Sequence, residues 1–225
     1  MSCTSKASGK KAGFPVERPL FYYITDRRRL SGISLTACIR KAVERGVDFV
    51  QIREKDLTDR ALFELTQRAL ALARGTKCRI LVNGRADIAL AAGAHGVHLP
   101  STGLQTSDIR KWFPRKCLIG VSVHTLPEIR RACAQGADYL LLGHIFCTES
   151  KQGYGPPLGL HHLKRACAVA SVPVLGLGGI KPELIEPVLR AGAAGVAGIG
   201  LFQDADFRID EISGMRKAGG RVPHA

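Results

Sequence analysis

Eight short, continuously apolar runs recur along this chain, and each is followed by a stretch with helical spacing. The runs fall at residues 20–25, 49–52, 79–82, 96–99, 118–123, 139–143, 174–177 and 195–199. A strand that is apolar on both faces must be covered on both faces, which is the condition of a parallel sheet wrapped by helices. Between the runs, Leu62, Leu65, Ala69 and Leu72 share one helical face, as do Leu184, Ile185, Val188 and Leu189. Pro182 suits a first helical turn. Pro187 lies inside the same helical stretch and predicts a kink or a shortened helix. A last helix after Asp204 is weakly patterned, with Gly214 interrupting it. Eight βα units predict a closed (β/α)8 TIM barrel, with an open doubly wound sheet as the alternative.

The length of 225 residues suits one large domain, and 45% hydrophobic content supplies its core. The barrel is expected over residues 19–215, with a basic arm at 1–18 and a basic tail at 216–225. No apolar run approaches a membrane span, so no membrane partner is expected. The basic, Ser- and Gly-containing start has no apolar segment, so no secretory signal is expected. The seven cysteines are odd in number and irregularly spaced, without a CxxC pair. That pattern predicts reduced thiols in a cytoplasm.

The net charge of +14 attracts anions. The charge is dispersed: Lys6, Lys10 and Lys11 lie near one end, Arg216, Lys217 and Arg221 near the other, and Arg27-Arg28-Arg29 is the tight internal run. Aromatic residues are not interleaved with the basic ones, so a stacking platform for bases is missing and nucleic acid is not an expected partner. Assembly into a homo-oligomer stays open.

In a barrel, chemistry sits just after the strands. There the sequence places Thr25 and Asp26; Arg53, Glu54 and Lys55; Asn83; His98; Ser122 and His124; His144, Thr148 and Lys151; Gly178 and Gly179; and Gly198 and Gly200. This is a cationic, histidine-rich mouth suited to a small phosphorylated anion. "GLGGI" and "GVAGIG" end the last two strands, where glycines let backbone N–H groups approach a phosphate. The competing account is relief of crowding in tight turns. Arg53 and Lys55 offer charge to an anion, or else pair with Glu54. Zinc bound by His98, His124 and His144 is disfavoured, because alternating residues of adjacent strands point in different directions. Proton transfer is the more natural use of these histidines.

"YITD", "QIREKD", "GAHGVHLP", "IGVSVHT", "GADYLLLGHIFCT", "PVLGLGGI" and "AGAAGVAGIG" occur in order along the barrel. Together they resemble the thiamine phosphate synthase superfamily. The resemblance implies one of two activities. Synthases join an aminopyrimidine pyrophosphate to a thiazole phosphate with magnesium; thiazole tautomerases isomerise a carboxylated thiazole phosphate without a metal. In the synthase pattern an Asn-Asp pair ends strand 3 and a Gly-Gln-x-Asp segment follows strand 4, the two aspartates holding magnesium. Here those positions are Gly84 and Gly103. "GHIFCT", with His144, is also closer to the tautomerase "GHVFPT" than to the synthase "GxGPIxPT".

On this basis the expected function is a metal-independent, thiazole tautomerase-like isomerase acting on a small phosphorylated heterocycle. His124 would move the proton and His144 orient the ring. Arg53, Lys55, Asn83, His98, Ser122, Thr148, Lys151, Gly178, Gly179, Gly198 and Gly200 would hold the substrate. No cofactor is expected. Two alternatives remain. One is a synthase that takes magnesium on other carboxylates, such as Asp26 or Asp87. The other is a non-catalytic basic paralogue that binds anions or nucleic acid.

Overall fold

The computed structural model describes residues 18–148 and 155–203. Eight parallel strands form a closed barrel in sequence order. They are β1 (Leu20–Ile24), β2 (Phe49–Ile52), β3 (Arg79–Asn83), β4 (Gly96–Leu99), β5 (Leu118–Val123), β6 (Tyr139–Gly143), β7 (Val174–Leu177) and β8 (Gly195–Gly198). The pairing of β1 with β8, from Leu20↔Gly195 to Tyr23↔Gly198, closes the sheet and excludes the open alternative. Each strand lies within one residue of the run that predicts it.

The helices are α1 (Leu35–Glu44), α2 (Asp59–Ala73), α3 (Ala86–Ala92), α4 (Thr106–Arg110), α5 (Leu126–Ala134), α6 (Gly159–Val169), α7 (Ile185–Arg190) and α8 (Gly200–Gln203). Several starts are set by local side chains. Ser34 Oγ accepts from Ala37 N at 3.2 Å, Thr58 caps α2, and Thr125 with Glu128 forms a reciprocal capping box at α5. Pro187 shortens its helix: a 3-10 turn, Pro182–Leu184, comes first, and α7 begins at Ile185. Pro187 therefore sits in the first turn, where its missing N–H costs no helical bond. The expected arm up to residue 17, Lys151, the helix after Asp204 and the basic tail lie outside the described residues.

Strand alternation sorts the core into two layers. Phe21, Tyr23, Val50, Ile52, Ile80, Val82 and Val97 point outward and pack with helical residues such as Ile39, Leu62, Ile129, Leu163 and Val188. Leu20, Tyr22, Ile24, Phe49, Leu81, Leu118, Tyr139, Leu141, Leu175 and Ala197 fill the barrel interior. Burying each large apolar side chain contributes about 1.5–3 kcal/mol. At the strand entrances, Arg18 pairs with Asp48 and Arg110 with Asp138. Asp48 also accepts from Phe21 N at 2.9 Å, and Asp138 from Ile119 N at 2.7 Å. Each carboxylate thus ties the start of its strand to a neighbouring one.

The interior fit is tightest around Tyr139. Its ring occupies the space beside Gly120, where an added Cβ would lie 1.9 Å from Cζ. Gly120→Ala is expected to lower stability by about 1–3 kcal/mol through overpacking. Combining it with Tyr139→Leu should recover part of the loss. Denaturant unfolding measures both, and a Gly120→Ala protein as stable as the parent would refute this packing.

Candidate active site at the barrel mouth

The loop after β2 is organised by the arginine run. Arg27 Nη1 donates to Glu54 at 3.0 Å and to Asp56 at 2.6 Å, and Arg27 Nη2 reaches Asp56 at 2.7 Å. Arg28 adds a bond to Asp56 at 2.8 Å. These arginines hold the Asp56 carboxyl well below the usual carboxylate range. They also take the loop's acidic groups, so the pairing of Glu54 with Arg53 or Lys55 is not what forms. Among the described residues no carboxylate pairs with either cation. Arg53 follows the inward sequence of Phe49 and Gln51, and its backbone N–H donates to Thr25 Oγ1 at 2.9 Å. Lys55 is exposed.

On the far side of the barrel, Asn83 ends β3 opposite His98 of β4. His98 is buried and bonded at both ring nitrogens: Nε2 to Ser122 Oγ at 2.8 Å and Nδ1 to the Tyr139 hydroxyl at 3.2 Å. Burial, and then the nearby charge of Arg53, push its pKa down to about 3, so the ring is neutral near pH 7. His124 follows β5, and its Nδ1 bonds the carbonyl of Gly143. A carbonyl can only accept, so Nδ1 carries a proton and donates it to that oxygen. The His124 N–H donates to Glu128 Oε2 at 2.6 Å. His144 follows β6, is buried, and gives its backbone oxygen to Leu158 N. Thr148 is half-buried in the same loop.

The glycine loops divide by cause. Gly178 has φ +95°, and a Cβ there would sit 2.5 Å from the Cβ of His144. Gly179 has φ +66°, and its Cβ would meet the Cys147 oxygen at 2.4 Å. Crowding against the β6 loop therefore explains both. A Cβ on Gly198 would come 3.2 Å from Leu201, whereas Gly200 faces open space.

The carboxylates of the described residues do not fit a magnesium site. Gly84 and Gly103 offer no side-chain oxygen where the family pattern has aspartates. Asp87 and Asp59 are both bound by Arg85, and Asp26 caps the turn at Arg28 N. Asp26 and Asp87 are thus already engaged and do not replace the missing pair. Among the described residues no three His, Cys, Asp or Glu side chains are placed to hold a metal, the histidine trio included.

Three polar residues of the interior escaped the reading of strand ends: Tyr22, Gln51 and Tyr139. Their signal is present in the sequence. Counting back by two from Arg53 places Gln51 inward, and Tyr22 and Tyr139 occupy inward positions of "LFYYI" and "YLLLG".

The family model for thiamine monophosphate synthase matches residues 21–202. The chain belongs to that family. A putative thiamine-phosphate synthase of Geobacter sulfurreducens is 44% identical over 188 residues, covering 83% of this chain and 88% of the relative. The thiamine-phosphate synthase of Roseiflexus castenholzii is 38% identical, covering 82% and 81%. Among solved structures, a thiamine phosphate pyrophosphorylase from Pyrococcus furiosus superposes with a TM-score of 0.78 at 29% identity, covering 90% of this chain and 98% of its own. These relatives overturn the expected isomerase. Gly84, Gly103 and His144 were read as markers of the tautomerase branch. The loss of two carboxylates removes metal ligands without specifying a different reaction, and the whole-barrel similarity lies with proteins named as synthases.

Gly178→Ala is expected to destabilise the fold by about 1–3 kcal/mol from its left-handed backbone alone. Gly200→Ala should change stability by no more than about 0.5 kcal/mol. Equal unfolding free energies for the two variants would contradict this division of the glycines.

Proposed function

We propose that this protein is a thiamine-phosphate synthase-type transferase with an altered magnesium site. It joins an aminopyrimidine pyrophosphate to a thiazole phosphate. The C–O bond between the pyrimidine methylene and pyrophosphate breaks, and pyrophosphate leaves with the electron pair. The thiazole ring nitrogen forms the new C–N bond and becomes cationic.

The observation that carries this reading is the pair of cations, Arg53 and Lys55, which the arginine run leaves without a carboxylate among the described residues. Strand order adds to it: β7, β8, β1 and β2 are consecutive. The glycine loops and the two cations therefore share one arc of the mouth, and this arc receives the phosphate groups. Gly198 and Gly200 let the backbone approach, while Gly178 and Gly179 shape the loop, and Thr148 belongs to the neighbouring loop. Arg53 and Lys55 balance the charge that grows on departing pyrophosphate. The opposite arc, β3 to β6, presents Asn83, Ser122, His124 and His144 to the rings. His124, whose Nδ1 is held by the Gly143 carbonyl, turns its other ring nitrogen to a polar group of a substrate ring. Because no carboxylate set among the described residues fits magnesium, none of these steps is assigned to a protein-bound ion. The described cysteines are all free, which supports a reducing, cytoplasmic setting. No helix among the described residues is long and apolar enough to cross a membrane.

Mixing the protein with both substrates should yield thiamine phosphate and pyrophosphate in equal amounts by mass spectrometry. Arg53→Gln should lower kcat by about 10²-fold, and Gly200→Val should raise KM for the phosphorylated substrates. Absence of coupled product from the parent would sink the reading.

A further inference from the structure

The base of the barrel, at the strand entrances, carries two adjoining clefts. The walls of one, about 410 Å³ in volume, include Arg18, Asp48, Thr76, Lys77, Arg79 and His95. The walls of the other, about 620 Å³, include Leu70, Ala71, Ala73 and Ala92, with Arg74 beside them. Thr76, Cys78 and His95 line both. The polar groups of the first cleft are gathered from the starts of four consecutive strands. Arg18 and Asp48 come before β1 and β2, Arg79 opens β3, and His95 comes before β4. Asn83 and His98 lie at the other ends of β3 and β4, so these clefts are on the face opposite the mouth.

The loop between α2 and β3 is held by Thr76. Its hydroxyl donates to the Ala73 carbonyl at 2.7 Å and accepts from Cys78 N at 3.2 Å. Arg74 and Lys77 are exposed on this loop, and among the described residues no carboxylate pairs with either. Asp48 is the one carboxylate in the walls of the first cleft, and Arg18 pairs with it. Three cations, Arg18, Lys77 and Arg79, against this one carboxylate leave the cleft a net charge of +2. His95 adds an oriented donor. A backbone N–H can only donate, so Nδ1, 2.9 Å from Ile80 N, accepts and carries no proton. Partial burial, and then the charge of Arg79, hold the ring's pKa below its usual value and keep it neutral near pH 7. The proton of the neutral ring is therefore on Nε2, the donor left for a ligand.

We infer that the base of the barrel is a second anion site, which takes the phosphate of a phosphate monoester beside Lys77, Arg79 and His95 and its organic part along the apolar wall of Leu70 and Ala92. A phosphate monoester carries about two negative charges near pH 7, which the cleft balances. An ammonium, a guanidinium and an imidazole N–H offer donors to separate phosphate oxygens. The volumes suit a small organic ligand. The site is distinct from the mouth and does not depend on the reaction there.

Phenyl phosphate tests it, with inorganic phosphate as the comparison. Both are titrated into the full-length protein carrying Arg53→Gln and Lys55→Gln, so that the cations of the mouth do not contribute. Calorimetry should show saturable binding of phenyl phosphate. Nitrogen NMR with 15N-labelled histidine, assigned by a His95→Asn variant, should show the His95 Nε2 signal move with the same affinity. Adding Lys77→Gln, at an exposed position, should weaken binding about tenfold. Inorganic phosphate should bind about fivefold more weakly than phenyl phosphate, having no ring to bury. A His95 signal that stays still at saturation, or an affinity unchanged by Lys77→Gln, would overturn the site. Binding by the parent that vanishes with Arg53→Gln and Lys55→Gln would overturn it too, because the phosphate would then sit at the mouth. Equal affinity for the two anions would overturn the assignment to an ester. None of these readouts involves product formation, so they stand apart from the fate of the proposed reaction.

Discussion

A closed eight-stranded barrel has an interior with room for a fixed set of inward side chains, and every polar one must find its partner there. In this protein the Tyr139 ring takes the place that a side chain at position 120 would need. Its hydroxyl then links Tyr22 below to His98 above. Packing and polarity are solved by the same residue. The ring completes the interior layer with Phe49 and Tyr22, and the hydroxyl satisfies groups that would be costly if left unpaired. The mouth inherits this order, because Ser122 and His98 reach it from strands whose inner ends the tyrosines hold.

The mouth itself is shaped by competition for carboxylates. Arg27 and Arg28 draw Glu54 and Asp56 into one cluster, and Arg85 draws Asp59 and Asp87 into another. Apart from the one to buried Glu54, these pairs are open to solvent, which screens them, so they contribute little to stability. Their consequence is for charge distribution. The described acidic groups near the strand ends are occupied, and the cations Arg53 and Lys55 have no carboxylate partner among the described residues. A family in which the pattern calls for two metal-binding aspartates is represented here by a member with glycines at both places. In the proposed reaction, Arg53 and Lys55 supply the positive charge that pyrophosphate requires.

Much of the fold was legible because a doubly buried strand leaves an unbroken apolar run, and eight such runs with helical stretches between them have few solutions. Phe49–Ile52 and Leu118–Val123 could be read directly for this reason. The split before α7 was legible from Pro187, although its 3-10 form was not. The site was legible only as a set of strand-end residues. Which of them meet depends on inward or outward direction, and that required the register. The tyrosines were hidden because an aromatic residue in an apolar run reads as core. Gly178 and Gly179 read as a phosphate loop, yet the β6 loop accounts for their lack of side chains. The reaction was misjudged because three local differences outweighed the similarity of the whole barrel, whose placement needed comparison with relatives.

The central claim is that this mouth drives pyrophosphate departure with its own positive charge. Its most direct test is the single-turnover rate of product formation as free magnesium is varied from chelating buffer upward. The account predicts product in the chelator and no more than a few-fold rise on adding the metal. Product that forms only when magnesium is supplied would contradict it.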